Sequence, residues 1–260
     1  MAFAQLEDVR IHYDLTGSSS APTLVFSNSL GATLSMWDPQ MPTLLRQFRV
    51  LRCDTRGHGQ SSATPGPYSI EQLAGDVVAL LDELKLESVD FCGLSMGGQT
   101  GMWLALNAPT RLKRLVLSNT AAKIGTPEIW NTRIEAVRKR GMNSISTAVM
   151  ERWFSADFRA KSPDAVAAAK QMLEGANPES YIANCAAVRD YDARKAITAI
   201  RIPTLVITGA HDAATTPADG RYLAEQITGA RYLEFDAAHI SNIEKPEQFS
   251  SEVSTFLLSR

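Results

Sequence analysis

The sequence predicts an α/β fold with a mostly parallel sheet of eight strands and a helical block inserted after the sixth strand. Two observations support this. Short runs of β-forming residues alternate along the chain with helical patterns, and the alternation stops between residues 121 and 194. A chain of 260 residues, 45% of them hydrophobic, is long enough to bury a full core of this kind.

The predicted strands are short runs rich in β-branched, aromatic and other apolar residues. They are Phe3–Leu6, Val9–Leu15, Thr23–Ser27, Arg49–Cys53, Val89–Gly93, Arg114–Ser118, Thr204–Thr208 and Arg231–Phe235. We expect the first two to form a hairpin. The others should pair mainly in parallel, because helical segments connect most of them.

Helices are predicted where apolar residues recur at helical spacing. Outside the inserted block these segments are Met41–Phe48, Ile70–Leu84, Gly97–Asn107, Pro217–Gln226 and Pro246–Leu258. Inside it, three helix starts are indicated by a capping side chain followed by proline: Thr126-Pro127-Glu128, Ser162-Pro163-Asp164 and Asn177-Pro178-Glu179. We therefore expect a core domain of residues 1–120 and 195–260, and a helical lid of residues 121–194.

Composition argues against several classes of function. The 26 Lys and Arg residues nearly balance the 28 Asp and Glu residues, so no global field attracts nucleic acid or an anionic membrane. The first ten residues do not resemble a signal peptide, and no apolar stretch reaches membrane-spanning length. Cys53, Cys92 and Cys185 lack metal-type spacing. We expect a cytoplasmic protein with no metal, nucleic-acid or membrane partner, and the sequence leaves the oligomeric state open.

The most specific chemical motif is Gly93-Leu94-Ser95-Met96-Gly97, which lies between a predicted strand and a predicted helix. In that context G-x-S-x-G is typical of a nucleophile elbow, a sharp turn that presents a serine hydroxyl at the carboxyl edge of the sheet. The start of the helix also favours developing negative charge. Ser95 is therefore the predicted nucleophile, and the alternative is a glycine-rich turn with an incidental serine.

A serine hydroxyl needs a base, and the chain has four histidines. His239 follows the last strand and precedes the last helix, in agreement with the chain order Ser, Asp, His. His12 and His58 lie in an early strand and a turn, and we expect them to be structural. His211 adjoins Asp212, but neighbouring residues in an extended turn point apart. His239 is the predicted base.

The base needs an acid that fixes its tautomer. Asp212 closely follows the seventh predicted strand and satisfies the chain order. Asp236, three residues before His239, is the alternative, although its loop position favours a capping role. The residue after the sixth strand is Asn119, which is not an acid.

A tetrahedral intermediate requires two backbone N–H donors for its oxyanion. One is expected from Met96, the residue after the nucleophile, and the other from the loop after the third strand. We assign the second donor to Leu30, which follows Asn28 and Ser29.

Together these motifs resemble the α/β-hydrolase superfamily over essentially the whole chain. Five stretches resemble more specifically the 3-oxoadipate enol-lactonases of protocatechuate and catechol breakdown. They are Ser27–Gly31, Asp54–Gly59, Phe91–Gly98, Ser118–Ala122 and Ala238–Ile243. Asp54 and Arg56 belong to a turn shared across the superfamily, so we expect them to be structural.

The resemblance implies the α/β-hydrolase fold and hydrolysis of a five-membered enol lactone with an acetate arm, without a metal or organic cofactor. Ser95 would open the ring to form an acyl-enzyme, and water would release 3-oxoadipate. A serine nucleophile argues against haloalkane dehalogenases and epoxide hydrolases, which attack with aspartate. The alternatives are a general carboxylesterase, a carbon–carbon bond hydrolase, a perhydrolase or, from a different class, a ligand receptor with low turnover.

An anionic lactone requires a cation that the global charge does not supply. Trp130 and Arg133 are three residues apart in a predicted lid helix and would present an aromatic wall and a guanidinium on one face. Alternatively, they are a core tryptophan and a solvent-exposed arginine. Trp37, Met150 and Trp153 could line the pocket or belong to the core. The other candidate cations are Lys123, Arg138 and Arg152.

Overall fold

The computed structural model describes residues 1–259, in which eight strands form one sheet. The strands are β1 (Ala2–Gln5), β2 (Arg10–Thr16), β3 (Thr23–Ser27), β4 (Arg49–Cys53), β5 (Val89–Leu94), β6 (Leu112–Ser118), β7 (Thr204–Gly209) and β8 (Arg231–Phe235). Their order across the sheet is β1-β2-β4-β3-β5-β6-β7-β8. β2 runs antiparallel to both of its neighbours, β1 and β4, whereas the other strand pairs are parallel. The predicted hairpin of β1 and β2 is confirmed.

Eleven α-helices surround the sheet in this part of the chain. They are α1 (Met41–Leu44), α2 (Ile70–Glu83), α3 (Met96–Asn107), α4 (Pro127–Arg140), α5 (Asn143–Trp153), α6 (Ala156–Lys161), α7 (Pro163–Glu174), α8 (Pro178–Asp190), α9 (Pro217–Gln226), α10 (Ser241–Glu244) and α11 (Pro246–Leu258). Short 3₁₀ helices span Leu34–Gln40, Pro109–Arg111 and Ile197–Ala199. The helix predicted over Met41–Phe48 ends early, because the N–H groups of Arg46 and Gln47 donate to the carbonyls three residues before them, those of Thr43 and Leu44, and so leave the α-helical pattern.

Helices α4 to α8 form a helical insertion, residues 127–190, between β6 and β7. Two predicted caps are present: Thr126 accepts a hydrogen bond from Ile129 N–H, and Asn177 accepts one from Ser180 N–H. The predicted Ser162 cap is wrong, although α7 does begin at Pro163. Ser162 also ends α6, where its N–H donates to the Phe158 carbonyl, and its backbone lacks the extended geometry of the other two caps.

The helical insertion shares an apolar core with the sheet. Trp130 of α4, Val149 of α5 and Tyr181 of α8 belong to the same buried cluster as Phe26 of β3 and Cys92 of β5. A second buried cluster lies among α2, α3, α9 and the sheet. The insertion is therefore held in place largely by burial of apolar surface.

Three further features bear on the function classes considered above. Within residues 1–259, no helix is long and apolar enough to cross a membrane, and no cluster of three His, Cys, Asp or Glu side chains could hold a metal ion. Cys53, Cys92 and Cys185 are buried and free. Burial raises the pKa of Cys92 and raises those of Cys53 and Cys185 to about 12, so these thiols are protonated at neutral pH.

Candidate active site

Ser95, Asp212 and His239 lie beyond the carboxyl ends of β5, β7 and β8, respectively. These strands are parallel, so their carboxyl ends share one edge of the sheet. Leu30 reaches the same edge from β3, which pairs in parallel with β5. The topology thus brings four of the predicted site residues together, although they are far apart in sequence.

Ser95 has a positive φ of 59° with ψ −114°, a backbone conformation that non-glycine residues rarely adopt. A non-glycine residue in such a region costs about 1–3 kcal/mol and needs support from its surroundings. Here the Ser95 N–H donates to the Ser118 carbonyl at 3.0 Å, and Thr120 Oγ1 donates to the Ser95 carbonyl at 2.7 Å. This turn presents the serine side chain at the start of α3.

Close backbone approach explains the two glycines that flank the serine. A Cβ on Gly93 would lie 2.1 Å from the Gly97 carbonyl oxygen, and a Cβ on Gly97 would lie 2.1 Å from the Ser27 carbonyl oxygen. Both distances are far below van der Waals contact. The G-x-S-x-G pattern is therefore a packing requirement of this turn.

His239 and Asp212 form a buried hydrogen-bonded pair, with Nδ1 of the histidine 2.8 Å from Oδ2 of the aspartate. An ionised carboxylate can only accept hydrogen bonds, so Nδ1 carries the proton. Nε2 is then the unprotonated nitrogen, as a general base requires. Ser95 and His239 both line the same cavity.

Asp212 is kept ionised by its surroundings. Burial alone would raise its pKa, but the charge of His239 and hydrogen bonds from His239, Thr215 and Asn119 outweigh burial and lower the pKa. Asp212 Oδ1 accepts the N–H groups of Ala214 and Thr215 at 2.8 and 3.0 Å. A carboxylate held in this way can stabilise the imidazolium that forms during the reaction.

The alternative acid and the other histidines form different pairs. Asp236 is exposed and contacts His211 at 2.8 Å and Lys245 at 3.5 Å. His12 Nδ1 lies 2.8 Å from Asp54 Oδ2 in a buried pair. Among the described residues, His239 is the only histidine that lines the cavity of Ser95.

The backbone N–H groups of Leu30 and Met96 donate no hydrogen bond within residues 1–259. The loop that carries Leu30 is fixed on both sides. Gly31 N–H donates to His58 Nε2 at 2.9 Å, and the Asn28 carbonyl accepts the Gly97 N–H at 3.0 Å. Leu30 lines the same cavity as Ser95, and Met96 directly follows Ser95 in the chain. The two free donors are therefore available for the predicted oxyanion site.

The cavity at Ser95 has a volume of about 280 Å³. Its walls are formed by residues at the carboxyl edge of the sheet and by residues of the helical insertion. They comprise Ser29, Leu30, Ser95, Ile124, Gly125, Ile129, Trp130, Arg133, Val149, Arg152, Trp153, Tyr181, Ala213, Ala214 and His239. Three residues predicted to contact substrate, Trp130, Arg133 and Trp153, are therefore in the cavity wall.

Trp37 does not line this cavity, which corrects the prediction that it contacts substrate. Its side chain is fully buried, stacks on Phe26 with ring centroids 4.2 Å apart, and donates from Nε1 to Asn28 Oδ1 at 2.8 Å. This ring fills the core beneath the loop that leads to Leu30. Met150 is likewise in the core, whereas its neighbour Val149 faces the cavity.

Two arginines of the helical insertion line the cavity without an acidic partner. The Arg133 guanidinium lies 4.6 Å from the centroid of the Trp130 ring. The positive charges of Arg133 and Arg152 are close enough to repel each other. Burial and that repulsion lower the pKa of Arg152 to about 10, so it remains charged at neutral pH. Within residues 1–259, neither arginine belongs to any of the ion pairs, which are formed by other side chains.

The other candidate cations lie elsewhere. Lys123 Nζ donates to the carbonyls of Arg189 and Tyr191, and Arg138 is exposed and paired with Glu135. Neither residue lines the cavity. The local positive charge of the cavity therefore comes from Arg133 and Arg152.

Comparison with known proteins agrees with this geometry. A profile of the alpha/beta hydrolase fold matches residues 22–246. The chain belongs to the α/β-hydrolase family. This hydrolase is 42% identical to 3-oxoadipate enol-lactonase 2 of Acinetobacter baylyi, covering 96% of the chain and 94% of that relative. It is 39% identical to 3-oxoadipate enol-lactonase 1 of the same organism, covering 94% and 92%.

A solved structure extends the similarity to three dimensions. The hydrolase superposes on the crystal structure of the enol-lactonase from Burkholderia xenovorans LB400 with a TM-score of 0.98. The two chains are 48% identical, and the match covers 99% of this hydrolase and 100% of that chain. The likeness therefore includes the helical insertion as well as the sheet.

Sequence reasoning about this hydrolase missed the role of Asn119. Its side-chain amide donates to Asp212 Oδ2 at 3.0 Å and to the Ala238 carbonyl at 3.1 Å, while its Oδ1 accepts from Ser241 at 2.6 Å. Asn119 thus holds the acid and the loop of His239 in one arrangement. A polar residue at the end of β6 was visible in the sequence, but its partners depend on the fold.

His58 gives the hydrolase a testable pH dependence of stability. Burial lowers the pKa of His58 from its ordinary value of 6.5 to about 4. The unfolded chain therefore binds more protons between these pH values, so the free energy of unfolding falls as the pH drops through this window. By pH 4.5 the loss from this one group should reach about 2–3 kcal/mol.

Urea unfolding at pH 7 and pH 4.5 measures this effect in the wild type and in His58→Gln, which cannot titrate there. The acidic residues contribute equally to both proteins, so the difference between their pH dependences isolates His58. We expect the variant to lose about 2–3 kcal/mol less than the wild type on acidification. Equal losses in both proteins would contradict this account of His58.

Proposed function

We propose that this hydrolase opens 3-oxoadipate enol-lactone to 3-oxoadipate in the breakdown of protocatechuate and catechol, through an acyl-enzyme on Ser95. The observation that carries the proposal is the pair of unneutralised guanidiniums, Arg133 and Arg152, in the same cavity as the nucleophile. A neutral ester would leave both charges without a partner, whereas the acetate arm of the lactone supplies a carboxylate. The names of the similar lactonases support the same substrate.

Acylation begins with attack of Ser95 Oγ on the lactone carbonyl, while His239 Nε2 removes the hydroxyl proton. The oxyanion accepts hydrogen bonds from the N–H groups of Leu30 and Met96. Collapse of this intermediate breaks the ring C–O bond and expels an enolate oxygen, to which His239 returns the proton. The resulting enol becomes a ketone, and the acyl group stays on Ser95.

Deacylation uses the same residues, with water as the nucleophile and Ser95 Oγ as the leaving group. His239 removes a proton from water, the hydroxide attacks the acyl carbonyl, and the proton returns to Ser95 Oγ as the ester bond breaks. Asp212 stabilises the imidazolium in both stages, because its lowered pKa keeps it ionised. The net reaction adds one water molecule to the lactone and requires no cofactor.

We further propose that Arg133 and Arg152 bind the acetate carboxylate and that Trp130 and Trp153 flank the ring. A guanidinium can donate two parallel hydrogen bonds to a carboxylate, and stacking of Arg133 on Trp130 limits its rotation. Arg152 adds a second positive charge to the same space. This arrangement would orient the lactone carbonyl toward Ser95 through its distal charge.

We also propose that the hydrolase works in the cytoplasm. Its three free thiols suit a reducing compartment. Fractionation of producing cells with an antibody against the chain tests this proposal.

Steady-state kinetics on the enol lactone and on a neutral activated ester such as 4-nitrophenyl acetate test the proposed reaction. We expect a kcat/KM for the lactone that exceeds the value for the ester, because only the lactone engages the arginines. A higher kcat/KM for the ester would indicate a general carboxylesterase. Negligible turnover of both substrates would indicate a receptor.

Arg133→Met should weaken kcat/KM for the lactone selectively. A charge-assisted hydrogen bond contributes about 1.5–3 kcal/mol, which corresponds to a loss of about tenfold to 150-fold. The neutral ester should be affected much less, because its reaction at Ser95 is unchanged. Arg152→Met should act in the same direction, and Arg138→Met, outside the cavity, serves as the matched control.

The ratio of the two substrates separates binding of the carboxylate from support of the fold. Equal losses on lactone and ester would mean that Arg133 only stabilises the helical insertion. If Arg133→Met changes kcat/KM for neither substrate while Arg152→Met lowers it for the lactone alone, then Arg152 is the residue that binds the carboxylate.

A further inference from the structure

Glu244 is a buried carboxylate that the mechanism above does not use. It lies at the end of α10, five residues after His239, and does not line the cavity of Ser95. Its Oε1 accepts the N–H groups of Ala238 at 2.9 Å and Ser155 at 3.0 Å. Its Oε2 accepts the Ser155 hydroxyl at 2.7 Å. One carboxylate therefore connects the loop of His239 with the helical insertion.

The same two segments meet through the backbone on the other side of His239. The Ile240 N–H donates to the Trp153 carbonyl at 2.9 Å. Both neighbours of His239 are thus connected to residues 153–155. Ile240 bonds Trp153 directly, whereas Ala238 is linked to Ser155 through the Glu244 carboxylate. Because Trp153 and His239 both line the cavity, these bonds fix a wall of the pocket relative to the base.

We infer that Glu244 is a positioning residue that holds the His239 loop against the segment of the helical insertion carrying Trp153. Glu244 touches neither the cavity nor the reacting atoms, so its effect passes through the backbone of Ala238 and Ser155. This inference rests on the triad proposed above but is independent of which lactone or ester is hydrolysed.

Loss of the carboxylate would leave three donors without their acceptor, including the buried N–H of Ala238. Such groups seek water or a new partner, and the loop would have to move to provide one. A displacement of about 1 Å at a catalytic group can slow a reaction by up to about 100-fold. Glu244→Ala should therefore lower the reactivity of Ser95 by about tenfold to 100-fold.

Glu244→Gln distinguishes positioning from a charge effect. The amide oxygen of glutamine can accept both N–H groups, and its NH₂ group can donate to the Ser155 hydroxyl instead of accepting from it. This variant keeps the connections but removes the negative charge. We expect it to retain reactivity within about threefold of the wild type, since no charge-assisted role at the reacting atoms is lost.

The experiment measures the rate at which a small neutral fluorophosphonate labels Ser95, well below the melting temperature of each protein. Labelling requires an oriented His239 but not the substrate carboxylate. Glu247→Ala, three residues further along and exposed, is the matched control and should label at the wild-type rate. Ser155→Ala removes one of the three bonds, so we expect a smaller loss than for Glu244→Ala.

Each result decides a different point. Wild-type labelling of Glu244→Ala, with only a lower melting temperature, would reduce Glu244 to a fold-stabilising role and overturn the inference. Equal loss in Glu244→Gln and Glu244→Ala would also overturn it, in favour of a charge effect. Failure of the wild type itself to label at Ser95 would instead contradict the proposed triad.

Discussion

Ser95→Ala and His239→Ala are each expected to lower kcat for the lactone by roughly three orders of magnitude or more, and the double variant should be scarcely slower than either one. Members of a triad act as a unit, because the base has no function without the nucleophile and the nucleophile is weak without the base. The free donors of Leu30 and Met96 would account for the residual rate.

Stopped-flow or steady-state assays of the three variants measure this coupling, with circular dichroism to verify folding. His211→Ala is a suitable control, since His211 is exposed and pairs with Asp236 away from the cavity. Losses that add in the double variant would show that Ser95 and His239 act in separate steps, and the triad assignment would then be abandoned.

Asp212→Asn should lower kcat by up to about 10⁴-fold, although the side chain keeps its size. The amide can donate a hydrogen bond to Nδ1 of His239, which would favour the tautomer that has its proton on Nε2 and cannot act as a base. The substitution also removes the charge that stabilises the imidazolium. Its effect should therefore appear mainly in kcat, with little change in KM.

Asp236→Asn is the matched control for this prediction, because Asp236 was the alternative acid and lies close to His239 in sequence. The structure places its side chain in solvent, next to His211 and Lys245. We expect this variant to keep nearly full kcat. A severe loss in Asp236→Asn together with an active Asp212→Asn would reverse the assignment of the acid.

Much of the fold was predictable because its signals are local. Strands β3, β4 and β8 have the predicted bounds, as do α9 and α11. Helices α5 and α6 were not predicted, because neither begins with the combination of a capping residue and proline that marks α4, α7 and α8. Ser162 carries that local signal, but it also ends α6, and its backbone there has φ −130° and ψ 54°, outside the extended geometry of the other two caps.

The site was predictable to the extent that strand order determines it. Residues that follow parallel strands must reach one edge, so Ser95, Asp212 and His239 could be brought together from the sequence. Contacts between the helical insertion and the sheet are different, because they depend on how distant helices pack. For that reason Glu244 was not recognised at all. Trp37 lies outside the insertion, and its burial on Phe26 likewise depends on the three-dimensional packing.

The two arginines also affect how the reaction ends. In the proposed reaction, ring opening leaves an uncharged ester on Ser95, and deacylation converts that ester into a second carboxylate inside a cavity that already holds the first. A dianion is attracted to Arg133 and Arg152 more strongly than the monoanion that entered, and by Coulomb's law the difference is greatest where water is excluded. The charges proposed to select the substrate would therefore also slow the departure of the product, which makes product release a candidate for the step that sets the maximal rate of turnover.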